Sequence, residues 1–207
     1  MKRSLSLEYK GNRDYIHGTD LFDHISQYVF NELKLAELDN VTMAIHRMIR
    51  SQIKFQLITH PEPERPSNLA ATFRFLGRDT QYICLLQEDG RSVSGRYPYD
   101  EDQVTDICNL DSDDKTVSLV GNRPFTNIET VVAMNKYLLQ KCFPEAGGKW
   151  LFTRVQLKTY RANEQWNKLR LKVIHNFQYR LIRSDIFNGG QLKGSIFFSV
   201  RSRKGTD

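Results

Sequence analysis

Gly121-Asn122-Arg123-Pro124-Phe125-Thr126-Asn127-Ile128-Glu129-Thr130-Val131-Val132-Ala133-Met134-Asn135-Lys136-Tyr137-Leu138 decides how this 207-residue chain is read, because a fainter copy stands upstream. The copy is Gly11-Asn12-Arg13-Asp14-Tyr15-Ile16-His17, offset by 110 residues, with an aromatic two places after the arginine in both. Each triplet follows a short strand-like run and leads into a helical segment. The repetition predicts an internal duplication.

Working outward, Leu5, Leu7 and Tyr9 alternate with polar residues as in a half-buried strand, and Leu21, Phe22, Ile25, Tyr28, Val29 and Leu33 recur at helical spacing behind Thr19 or Asp20 as caps. From Val41 to Leu57 the period is two, which predicts a long strand broken once. His60-Pro61-Glu62-Pro63-Glu64-Arg65-Pro66 reads as an exposed loop, since proline cannot donate to a ladder. Ala71–Leu76 and Gln81–Gln87 read as strands, and Asp89-Gly90 as the turn into a third. The second half repeats this order: a strand at Thr116–Val120, a helix at Ile128–Cys142, a strand from Trp150 to Thr159, alternation at Leu169–Val173, a strand at Tyr179–Phe187, and Asn188-Gly189-Gly190 as a hairpin turn. Two further matches, Phe55-Gln56-Leu57 with Val155-Gln156-Leu157 and Asp89-Gly90 with Gly189-Gly190, keep the same order. The expected organisation is residues 1–98 as one unit, 99–114 as an acidic linker and 115–207 as a second unit.

Composition narrows the function. No apolar run approaches the ~20 residues of a membrane helix, and Met1 to Glu8 lacks a signal-like apolar core, so a cytoplasmic protein without membrane association is expected. Cys84, Cys108 and Cys142 have neither disulfide nor zinc spacing. A serine-hydrolase elbow and a phosphate-binding glycine loop are both missing. The net charge of +6 is uneven: seven acids crowd Asp100–Asp114, while thirteen Lys and Arg follow from Lys149 onward against three acids. That basic end should attract an anionic partner.

Taken together, strand, helix and long antiparallel strands with a late glycine hairpin, occurring twice, resemble the hotdog fold. Arg154-Val155-Gln156-Leu157-Lys158, Leu169-Arg170-Leu171-Lys172-Val173 and Asn188-Gly189-Gly190-Gln191-Leu192-Lys193-Gly194 are similar to the strand series of hotdog thioesterases. Thr126-Asn127-Ile128-Glu129-Thr130 is similar to the helix start of the acyl-carrier-protein thioesterases, themselves tandem hotdogs. The resemblance implies an α+β protein of two tandem hotdog units, each a curled antiparallel sheet wrapped around one central helix. It implies an acyl-thioester substrate on coenzyme A or acyl carrier protein, no separate cofactor, and a site near the helix starts; no metal is expected, because His46, His60 and His175 have no ligand-like neighbours at metal spacing.

The matching positions are Asp14, His17, Asp20 and Glu129 for acid/base chemistry, and Arg13, Arg123, Thr126, Asn127 and Asn135 for substrate binding. A helix start offers unpaired N–H groups to a developing oxyanion, and a carboxylate nearby can activate water. His17 and Glu129 meeting across a shared groove would suit a dehydratase or hydratase instead. Two other classes stay open. One is a non-catalytic acyl- or carrier-binding hotdog, favoured because the Gly-His-Val-Asn-Asn thioesterase pattern is missing. The less favoured is nucleic-acid binding through Tyr160, Trp166, Phe177 and Tyr179 among the basic strands. Self-association into a homodimer is left open.

Overall fold

A computed structural model describes residues 2–59, 66–122 and 124–201. The proline loop, apart from Pro66, and Arg123 lie outside the described residues. Contacts divide the chain into two compact units, Met1–Asp100 with Gln156–Glu164, and Glu101–Val155 with Gln165–Asp207.

The first unit contains β1 (Lys2–Leu5), β2 (Tyr9–Lys10), helix α1 (Gly18–Leu33), β3 (Glu37–Ile45), β4 (Ser51–Thr59), β5 (Leu69–Gly77), β6 (Thr80–Ser92) and β7 (Arg96–Tyr97). Its sheet runs β1-β4-β6-β5-β3 and is antiparallel throughout. Residues 156–161 extend it beside β3: Thr159 donates to Asp39 at 2.7 Å, Arg161 pairs with Glu37 at 2.9 Å and Ala162 N–H donates to the Ala36 carbonyl. The α1 residues Leu21, Phe22, Ile25 and Val29 are fully buried, as their spacing predicts. Phe22 meets Phe73 edge-on at 5.4 Å and Tyr160 at 5.0 Å, and each such ring buried contributes about 1.5–3 kcal/mol.

The second unit contains α2 (Asp102–Thr105), β8 (Cys108–Asp111), β9 (Thr116–Leu119), α3 (Asn127–Cys142), a 3₁₀ turn (Pro144–Ala146), β10 (Lys149–Arg161, of which 149–155 belong here), β11 (Leu169–Phe177), β12 (Leu181–Asn188) and β13 (Gln191–Arg201). The sheet order is β10-β13-β12-β11-β9-β8. Leu171, Val117 and Ile186 stand in register across three strands and are all fully buried, and α3 packs against β9 and β11.

Four expectations are corrected. The acidic interval 99–114 is not an open linker: Val104 is fully buried in α2, and β8 pairs with β9, because Val104, Ile107 and Leu110 supply apolar anchors among the acids. Asp89-Gly90 is not a turn. Both residues lie inside β6, where Glu88 stands opposite Ile53 and Ser92 opposite Ser51, so the extra residues make a bulge in which Asp89 binds the Arg91 side chain and N–H. The turn that joins β5 to β6 is Arg78-Asp79, both at positive φ. The opening strand is also two pieces, β1 and β2, and the Phe55 and Val155 triplets fall on β4 and β10, which hold different places in the strand order of their units.

Candidate functional site

The start of α1 holds a buried polar network. The N-cap is His17, whose side chain makes no capping bond, so neither Thr19 nor Asp20 caps the helix as their positions suggest. The N–H of Ile16 donates to the Ile49 carbonyl at 2.8 Å and pins the approach to the helix. The Nδ1 atom of His17 is 2.8 Å from Thr19 Oγ1, which is 3.2 Å from Asp20 Oδ1. Lys10, fully buried, donates to Thr19 Oγ1 at 3.1 Å and to Asp20 Oδ1 at 3.2 Å.

A buried ammonium is costly unless every proton has a partner. Here β2 pairs in parallel with β7, whose Tyr97 ring lies 5.8 Å from Lys10 Nζ, and the chain just beyond β7 brings the Tyr99 ring to 4.3 Å. Arg13 lies over the same Tyr99 ring at 5.3 Å and donates to the Lys10 carbonyl.

Donor counting orients the network. The Thr19 hydroxyl has one proton, and the carboxylate is its stronger acceptor. Thr19 therefore accepts from Lys10 and donates to Asp20, and Nδ1 of His17 carries the proton in its bond to Thr19. The other oxygen, Asp20 Oδ2, is buried without a hydrogen-bond partner among the described residues. The first-turn N–H groups of Gly18 and Thr19 precede any intrahelical carbonyl they could reach.

Of the expected residues, His17 and Asp20 are brought together, and Asp14 is not. Asp14 is exposed, and its carboxylate is 3.4 Å from Arg50. In the second unit Thr126 and Glu129 form a reciprocal capping box: Thr126 Oγ1 accepts from Glu129 N–H at 3.2 Å, and the Glu129 carboxylate accepts from Thr126 N–H at 2.9 Å. Asn127 Oδ1 accepts from the Trp166 N–H at 3.1 Å. Asn135 lies in the middle of α3 rather than at its start, fully buried, with both amide atoms lacking hydrogen-bond partners among the described residues. Arg123 is outside the described residues. Tyr160 and Trp166, expected as stacking surfaces, are buried in the core, while Phe177 is exposed.

Sequence reasoning missed Lys10, Thr19, Tyr97 and Tyr99. Alternation from Leu5 to Tyr9 assigns Lys10 to the solvent side, but the break at residues 6–8 resets the phase. The Tyr97-Pro98-Tyr99 pair was the available signal.

Burial pushes the Cys84 thiol up to about 12 and the Cys108 thiol up to about 11, so neither suits nucleophilic work.

An α+β chain with large antiparallel sheets and a few helices, carrying this network at a helix start, has the hotdog fold. The likeness to solved structures establishes that fold: the 12:0-ACP thioesterase from Umbellularia californica matches with a TM-score of 0.50 and 11% identity over 98% of this chain and 97% of that one. A protein described as an oleoyl thioesterase from Lactobacillus plantarum matches at 0.50 and 12% over 98% and 96%, and one described as a thioesterase II from Thermobifida fusca at 0.51 and 10% over 97% and 92%. No protein-family model and no curated protein matches the sequence. No helix among the described residues is long and apolar enough to cross a membrane.

Proposed function

We propose that this chain is a tandem hotdog, its duplicated cores lying within residues 1–98 and 115–207, and that it hydrolyses acyl thioesters carried by coenzyme A or acyl carrier protein. The observation that carries this reading is the buried His17–Thr19–Asp20–Lys10 network, with one carboxylate oxygen unpartnered beside unpaired helix-start N–H groups. Asp20 Oδ2 takes the hydrogen bond, then the proton, of the attacking water, and His17, bound to Thr19, holds the carboxylate's hydrogen-bond partner in place. The water oxygen bonds to the carbonyl carbon, the oxyanion rests on Gly18 and Thr19 N–H, and the carbon–sulfur bond breaks. The thiolate leaves and recovers the proton from Asp20. No separate cofactor takes part, since coenzyme A or the phosphopantetheine arm belongs to the substrate. A dehydratase reading needs a second acid/base group, and the Glu129 carboxylate, the candidate for it, is engaged in the α3 cap.

The test is thiol release from a panel of acyl-CoA and acyl-carrier substrates. Asp20→Asn and His17→Ala are each expected to lower kcat/KM about 10²–10⁴-fold, with Asp14→Asn unchanged. Wild-type protein that binds these thioesters without releasing thiol would replace hydrolysis with acyl binding.

A further inference from the structure

In the second unit the face of β11, β12 and β13 that carries Leu171, Ser184, Ile186 and Ile196 is buried, so alternation turns Arg170, Lys172, Leu181, Arg183 and Phe197 to the opposite face, and the β11 bulge after Val173 brings Phe177 onto that face opposite Leu181. That face is basic and patterned. Arg170 lies over the Phe187 ring at 5.0 Å, and the exposed Arg154 of β10 over the Phe197 ring at 5.6 Å. Each guanidinium therefore has a ring beneath it. The acids nearby are engaged, Asp185 by Arg183 at 2.9 Å and Asp114 by Lys172. At the β11–β12 end, Phe177 and Leu181 stand directly opposite one another, 57% and 42% exposed.

We infer that this sheet face docks an acidic protein, the carrier that delivers the acyl thioester; the carrier's identity rests on the hydrolase reading above, the acidic partner does not. Guanidinium groups over rings offer planar forks suited to carboxylates, and Phe177 with Leu181 forms an apolar patch at one end of the charged field. A single-stranded nucleic acid fits less well. Phe187 and Phe197 are covered by arginine, and Tyr179 is occupied by Phe143 and by its bond to Glu145, so successive bases lack open rings to stack on. A second copy would bring two positive faces together.

The experiment titrates the full chain with the holo form of a bacterial acyl carrier protein and, in parallel, follows acyl-CoA hydrolysis. Arg154→Gln with Arg170→Gln is expected to weaken carrier binding about tenfold or more, and Phe177→Ser to weaken it severalfold, while acyl-CoA turnover is unchanged. Lys54→Gln, an exposed change in the first unit, should leave binding intact. Equal carrier affinity in wild type and the arginine variant overturns the proposal. So does wild-type protein that ignores the carrier and instead binds oligo-dT or anionic phospholipid vesicles through these arginines. Carrier binding that depends on them in a protein that hydrolyses no thioester keeps the docking face and removes the hydrolase. Hydrolysis of acyl-CoA without carrier binding does the reverse.

Discussion

The two sixteen-residue helices begin in opposite ways. At α3 the chain follows the rule for a stable start: Thr126 and Glu129 satisfy each other's N–H groups, and the charge sits at the solvent edge. At α1 the cap makes no side-chain bond, and the polar groups turn inward onto a buried lysine. One start is built for helix stability, and the other keeps a carboxylate, an imidazole and unpaired N–H groups together in a dry place. The contrast is between a cap that satisfies its own N–H groups and one that gives up that bond for a buried polar network.

The largest effect should come from breaking the α1 side of the contrast. Lys10→Met removes the partner of a buried carboxylate and should cost about 3–5 kcal/mol in urea unfolding, against about 1 kcal/mol for Glu129→Ala at α3. Adding Asp20→Leu to Lys10→Met should recover part of the loss, because the pair is coupled. A double variant as unstable as the sum of its singles would refute the coupling.

Next come the thiols, one fully buried in the first unit and one half-buried in the second. Both have a folded pKa raised above the ordinary value of 9.0 by burial. The unfolded chain therefore loses its thiol protons first, and this stability is complete below pH 9 and lost as pH rises toward about 12 for Cys84 and about 11 for Cys108. Each group should contribute a slope near 1.4 kcal/mol per pH unit, and unfolding curves of Cys84→Ala between pH 9 and 11 should lack one such slope.

The smallest effects concern the hairpins. Gly190→Ala, at φ +83°, should destabilise the β12–β13 turn by about 1 kcal/mol. Asp79→Gly, at φ 64°, should stabilise the β5–β6 turn by about 0.5 kcal/mol. Opposite signs at the two turns would be read directly from urea midpoints.

Those turns also show what was legible. Gly189-Gly190 announces itself because glycine reaches positive φ without strain. Arg78-Asp79 does the same job with residues that carry no such signal, and Asp89-Gly90 carries the signal inside a strand. The helices and most strands followed from periodicity, whereas strand order did not. In the first unit β4 neighbours β6, and in the second the corresponding strand β11 neighbours β12. In the first unit β4 and β5 both run antiparallel to β6 and hence parallel to each other, whereas in the second β11 and β12 form a hairpin closed by three residues. Similar alternation in both halves permits either arrangement. At the site, His17 and Asp20 were visible as a titratable cluster, but Lys10 was not, since a buried lysine on a two-residue strand contradicts every surface rule until its partners are seen.

The division of β10 has a consequence for synthesis. Residues 156–164 belong with the first unit, yet they leave the ribosome only after residues 101–155. At about 5–20 residues per second, the outer backbone edge of β3, which ends at Ile45, waits roughly 6–24 s for its neighbour. During that interval the nascent chain displays an unpaired strand that a chaperone could shield, and a gene cut after codon 100 would leave it bare permanently.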